Sequence, residues 1–172
     1  MTADDDTEPL PLSAWSGGAR WTTGIDLVPI DRMRRLLTGD AARVGLFRPG
    51  EIEYCAGGAG SAAHFAARLA AKEATLKALG VGLGVPAALN RLRAIEVCQT
   101  GAEPRLRLHG ALAAYARRTG LLGGALSMTH AAGLAMAHVV VGWAAPTGAT
   151  DVSPVAERRS DAEREARHAV RC

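Results

Sequence analysis

The residues best suited to chemistry crowd into SAAHFAARLAAKEATLKALG, residues 61–80, where Arg68, Lys72, Glu73 and Lys77 fall within ten positions. At about 100° per residue of helix, Glu73 and Lys77 are neighbours one turn apart. They border an apolar stripe made by Phe65, Leu69, Leu76 and Leu79, with Arg68 on the other border. Lys72 projects into the stripe itself, where an ammonium must snorkel to water or meet an anion. This helix alone allows two readings. In one, Lys72 snorkels and Glu73 with Lys77 is an ordinary surface ion pair worth about 0.3 kcal/mol. In the other, a carboxylate and several cations face one ligand. A second carboxylate, Asp26, lies in WTTGIDLVPI (21–30) among Ile25, Leu27 and Val28. It is either hydrogen-bonded to backbone amides or acts as a metal ligand or charged catalytic group.

The elements that must position these groups follow from pattern. Ser61 suits a helix N-cap, eighteen residues free of Gly and Pro follow, and Gly80 stands where a left-handed C-cap residue is wanted. Residues 21–30 read as a buried strand. Asp31 is placed to cap a short helix, DRMRRLL, whose surface carries Arg32, Arg34 and Arg35. A second helix starts near Pro49, with Glu51 and Glu53 suited to its N-terminal dipole. CAGGAG (55–60) is a join and VGLGVP (81–86) a turn. A strand over about Leu92–Cys98 pairs through TGAEP with the alternating PRLRLHG, and a helix runs from about Gly110 to Thr119. Ala125–Thr129 and Leu134–Val141 form a last hairpin turning at HAAG, with His130 at its tip. The class is α+β.

Composition narrows the function. The segment 21–145 holds fourteen bases against eight acids, a balance of +6, which favours an anionic partner. Nucleic acid is disfavoured, because the few aromatics do not interleave with basic runs into a stacking platform. Cys55, Cys98 and Cys172 lack zinc spacing and read as free thiols of a reducing compartment. The acidic N-terminus does not look like a secretion signal. Residues 119–150 lack Lys and Arg, yet Gly123, Gly124, His130, Gly133 and His138 interrupt them, so two buried strands fit better than a membrane span. Residues 1–20 read as an irregular arm and 146–172 as a disordered tail.

GIDLVPIDR (24–32), FAARLAAKEATLKALG (65–80) and SMTH (127–130), in this order, resemble the holo-[acyl-carrier-protein] synthase family, the short 4′-phosphopantetheinyl transferases. The resemblance covers about Trp21 to Val141. It implies an antiparallel sheet packed against a long central helix, and a homotrimer with active sites between subunits. It also implies Mg²⁺-dependent transfer of phosphopantetheine from coenzyme A to a serine of an apo acyl carrier protein, releasing 3′,5′-ADP. Asp26 and Glu73 then hold the metal, Lys77 serves the phosphoryl transfer, Arg68, Lys77 and His130 contact the coenzyme, and Arg32 meets the acidic carrier. Val28 stands where the longer, two-copy transferases have another carboxylate, which points to the short type. A cytoplasmic enzyme follows, with a carrier of fatty-acid, polyketide or another assembly line.

The chain departs from the family pattern in two places. GGAGSAAH precedes the Lys-Glu-Ala helix, and Gly101-Ala102-Glu103-Pro104 stands for Gly-Lys-Pro or Gly-Arg-Pro. Both remove positive charge. They leave an alternative, a catalytically weak or inactive homologue that binds coenzyme A or a carrier domain.

Overall fold

The computed structural model describes residues 19–57, 60–81, 88–101 and 103–144. The chain enters through β1 (Arg20–Pro29) and passes through α1 (Ile30–Leu36), α2 (Asp40–Leu46), α3 (Pro49–Ala56) and α4 (Ser61–Ala78). Then come α5 (Ala88–Arg93), β2 (Ile95–Thr100), β3 (Glu103–Leu108), α6 (Gly110–Arg118), β4 (Leu121–Ala131) and β5 (Leu134–Trp143). The strands form an antiparallel sheet in the order β1-β5-β4 and an antiparallel β2-β3 pair. The class is α+β, as the pattern of elements requires.

Local chemistry explains α4. Its end is closed by a Schellman motif, in which Gly80 at φ +69° donates to the Lys77 carbonyl and Val81 to that of Leu76. Its start differs from expectation. Gly60 is the cap residue, and its carbonyl takes the N–H groups of Ala63 and His64, leaving Ser61 as the first helical residue. Asp31 likewise sits in the first turn of α1 behind Pro29, without a side-chain cap. In both places the backbone closes the turn one residue or two before the side chain that looked like the cap.

Phe65, Leu69, Leu76 and Leu79 are buried as the stripe demands, at about 1.5–3 kcal/mol each. Ala66, Ala70, Ala71 and Ala74 are also fully buried, facing a sheet whose inner residues include Ala135 and Ala137. Small residues on both sides bring helix and sheet close. The contact is tightest at Gly24, where a Cβ would stand 2.0 Å from the Ala74 carbonyl oxygen.

Four segments depart from the pattern reading. β1 is one-sided rather than buried, since Ile25 and Leu27 are 51% and 53% exposed while Gly24 and Val28 face α4. The two-residue period therefore puts Asp26 on the helix side and its apolar neighbours outside. The strand expected from Leu92 begins only at Ile95, because Leu92 and Arg93 end the helix α5. The seven-residue α2 was not foreseen; so short a helix has little intrinsic stability, and it packs Leu46 into the core. Finally, β4 is longer than expected and mostly exposed, while β5 alone of that pair buries a face, through Ala135, Ala137, Val139 and Val141. The turn of their hairpin is Ala132-Gly133, both at positive φ, so His130 lies within β4 opposite Ala135 rather than at the tip. The arm before residue 19, residues 58–59 and 82–87, and the tail from 145 lie outside the described residues.

The core also contains a charged pair. Lys72 does not snorkel: it is 0% exposed and bonds Glu51 at 2.8 Å, with Glu51 1% exposed. Burial pushes the Lys72 ammonium below its ordinary pKa, and the Glu51 carboxylate opposes that shift. Glu51, read from sequence as a helix-dipole residue, is the anion the apolar stripe called for.

Candidate active site

The close approach at Gly24 sets the depth of β1 on α4, and two residues later the strand delivers Asp26 to the helix side. Lys77, one turn beyond Glu73 on α4, donates to Asp26 Oδ1 at 2.7 Å and to the Ile25 carbonyl at 2.9 Å. The helix ion pair between Glu73 and Lys77 is thus replaced by a bond from Lys77 across to the strand. The second oxygen of Asp26, Oδ2, is buried and has no hydrogen-bond partner. Asp26 is therefore not satisfied by backbone amides, which was one of its two readings.

Glu73 completes the set. Burial raises its carboxyl above the ordinary range, and the neighbouring Asp26 raises it further through charge and a shared hydrogen-bonding position. Arg32 and Lys77 pull in the opposite direction. Two carboxylates thus converge with one oxygen unpaired. A proton between them or a cation bound by both relieves the repulsion. Among the described residues no group of three or more His, Cys, Asp and Glu is arranged to cage a metal. Two carboxylates with ligands left to water and phosphate suit Mg²⁺, which keeps waters and rarely takes an all-protein cage. The donor set fits that ion.

Arg68 and His130 form a separate group. The buried Arg68 guanidinium lies 4.1 Å over the Tyr54 ring, donates from Nη1 to the His64 carbonyl at 3.5 Å, and leaves Nε buried without a partner. Cys55 lies beside it, its thiol pushed up to about 11 by burial against the pull of Arg68; it is an inert thiol. The His64 ring is 6.0 Å from Tyr54 and 6.2 Å from the exposed His130 on β4. The structure therefore assembles Asp26, Glu73, Lys77 and Arg32 around the carboxylates, and Arg68, Tyr54, His64 and His130 into a cationic and aromatic ladder. The sequence reading placed Tyr54 only at the end of a short helix and gave it no role in the site, since that helix offered no signal beyond one aromatic ring on a short amphipathic segment.

The site is open. Cavities of about 620 Å³, walled by Arg48, Arg93, His109 and Tyr115, and of about 670 Å³, between β3 and β4, contain none of Asp26, Glu73 and Lys77.

Comparison with known proteins agrees on one family. The model of the 4′-phosphopantetheinyl transferase superfamily matches residues 22–135. Holo-[acyl-carrier-protein] synthase of Solibacter usitatus is 43% identical over 125 residues, covering 69% of this chain and 95% of that protein. Its counterpart in Geobacter sulfurreducens is 40% identical over 121 residues, covering 69% and 94%. Among solved structures, the Chronobacterium ammoniagenes ACPS–CoA complex superposes with a TM-score of 0.63 at 27% identity, covering 72% of this chain and 98% of that one. The Mycobacterium tuberculosis acyl carrier protein synthase gives 0.54 at 34% identity, covering 73% and 97%.

Proposed function

The chain belongs to the 4′-phosphopantetheinyl transferase superfamily, and from that premise we propose that it acts as a holo-[acyl-carrier-protein] synthase on coenzyme A and an apo acyl carrier protein. The single observation that carries the reading is the unpaired, buried Oδ2 of Asp26 on a carboxylate whose charge acts on Glu73 and to which Lys77 is bonded. In the reaction, the carrier serine oxygen bonds to the phosphorus bearing pantetheine, the bond from that phosphorus to the departing 3′,5′-ADP breaks, and the serine proton is released.

Asp26 and Glu73 hold Mg²⁺ in this reading. When bound, the metal neutralises charge on the pyrophosphate oxygens. Lys77 Nζ, half exposed and already directed at Asp26, donates to a phosphate oxygen as the coenzyme enters or assists deprotonation of the serine. Arg68, with an unused buried N–H, and His130 contact the coenzyme's anionic part. Arg32 stands on exposed α1 with its charge felt at Glu73. It meets the acidic carrier as the +6 balance of residues 21–145 favours encounter.

We take 21–145 as the transferase domain and a homotrimer as the working assembly. Support comes from the outer sheet face, where Trp21, Ile25, Leu27 and Met136 are exposed together, and from the open side of the carboxylate site. A cytoplasmic setting is consistent with the free thiols Cys55 and Cys98. No helix of the described residues is long and apolar enough to cross a membrane. The convergence of Asp26, Glu73 and Lys77 favours catalysis over a binding-only role.

Intact mass of a panel of apo carrier proteins after incubation with the protein, coenzyme A and Mg²⁺ tests the proposal. A gain of one phosphopantetheine, abolished by chelator and by Asp26→Ala or Glu73→Gln, is expected. No gain on any carrier, from folded protein that binds coenzyme A, would leave the binding-only reading.

A further inference from the structure

The buried pair of Lys72 and Glu51 takes no part in the chemistry above, yet it stands one residue from Glu73. Its polar atoms are all engaged. Lys72 Nζ donates to Glu51 Oε2 at 2.8 Å, to the Leu92 carbonyl at 3.2 Å and to the Ile95 carbonyl. Glu51 Oε1 accepts the Val97 N–H at 3.1 Å, and Oε2 also accepts the Arg48 N–H at 2.9 Å. One ammonium thus ties α4 to α3, to the end of α5 and to the start of β2.

A well-packed apolar pair of similar volume would hold these elements together equally well. What the charged pair adds is direction. The ammonium has three donors and no spare one, so the three acceptors are satisfied together over a narrow range of rotation of α4 about its axis. On the other side of the helix, the contact of Gly24 with the Ala74 carbonyl fixes how near β1 lies. Depth and rotation are therefore set by two separate devices. Glu73 follows Lys72 by about 100° around the helix, and Lys77 lies about 40° from Glu73. The azimuth of Lys72 decides where both point.

We infer that Lys72 and Glu51 are positioning residues, holding α4 at the rotation that turns Glu73 and Lys77 toward Asp26. The catalytic consequence rests on the function proposed above; the geometric claim does not.

The test is the double variant Glu51→Leu with Lys72→Met in the full chain, which removes the direction but keeps an apolar contact. Four quantities are read: the melting temperature, the Lys77 Nζ to Asp26 Oδ1 distance in a crystal structure, Mn²⁺ affinity by electron paramagnetic resonance without coenzyme, and kcat against KM. The variant is expected to melt near the parent, to lose the 2.7 Å contact, to bind Mn²⁺ about tenfold more weakly, and to lose about tenfold in kcat with KM for the carrier unchanged. A variant that keeps the contact, with Mn²⁺ affinity and kcat within about twofold of the parent, overturns the inference. Should the double variant not fold, Glu51→Gln preserves side-chain shape while removing the anion, and is judged by the same readouts. A parent protein that neither transfers phosphopantetheine nor binds Mn²⁺ defeats the proposed function instead, and the crystallographic distance still decides the positioning role.

Discussion

Lys72 and Lys77 lie five positions apart on α4, and each pairs with a carboxylate, at 2.8 Å to Glu51 and 2.7 Å to Asp26. The first pair is closed. Both of its side chains are fully buried, and three acceptors and three donors are matched around it. The second pair is open: the Lys77 side chain is 48% exposed, and the Asp26 carboxylate keeps one oxygen without a donor beside a second carboxylate. Chemistry belongs to the second pair. A buried charge whose bonds are complete is part of the scaffold. A charge held in place with one atom left unpaired keeps a free position for a ligand.

The comparison breaks in a definite order. Lys72→Ala strands the Glu51 carboxylate in the core and should destabilise the fold by about 3–5 kcal/mol, seen as a lower urea midpoint. Asp26→Ala removes the open carboxylate. Transfer should fall by about a hundredfold or more, by carrier mass gain, while stability moves within about 1 kcal/mol. Lys77→Met takes away the donor on the exposed side, for a loss of about a hundredfold in kcat, and leaves the nearly buried Asp26 carboxylate without its donor at about 1–3 kcal/mol of stability.

The smallest effect concerns pH. Glu73 in the folded chain holds its proton above its ordinary value of 4.5 because of burial and the Asp26 carboxylate. The folded state then binds that proton more tightly than the unfolded one. The resulting stability is full below pH 4.5 and is lost as the pH rises through the folded value. Mg²⁺ competes with the proton, so it should raise the melting temperature more at pH 8 than at pH 5, and Asp26→Asn should shrink both trends. Equal Mg²⁺ effects at the two pH values would argue against a cation shared by Asp26 and Glu73.

Much of this was legible beforehand, and the failures are informative. The α4 helix, its left-handed Gly80 and its apolar stripe follow from propensity and period, which act within a few residues. The strand around Asp26 was also visible, but its exposed outer face was not. A run of apolar residues does not reveal whether one side or both are covered, and Ile25 and Leu27 are half exposed. The seven-residue α2 and the switch from helix to strand at Ala94 lack a strong local signal; packing of Leu46 and Leu92 into the core accompanies them. The ladder of Arg68, Tyr54, His64 and His130 joins residues on three elements, and only two of its members lie within one helix.

Sequence alone determined which groups can ionise, that Glu73 and Lys77 share one face of a helix, and that Lys72 must reach water or find an anion. It determined these because helical geometry relates residues a turn apart whatever surrounds them. The tertiary structure decided the partners. Glu51, not water, meets Lys72; Asp26, not Glu73, takes the bond from Lys77; and Asp26 Oδ2 is the atom left over. Those outcomes depend on the depth of β1 at Gly24 and on the rotation of α4, quantities fixed by contacts between segments far apart in the chain and carried by no single stretch of it.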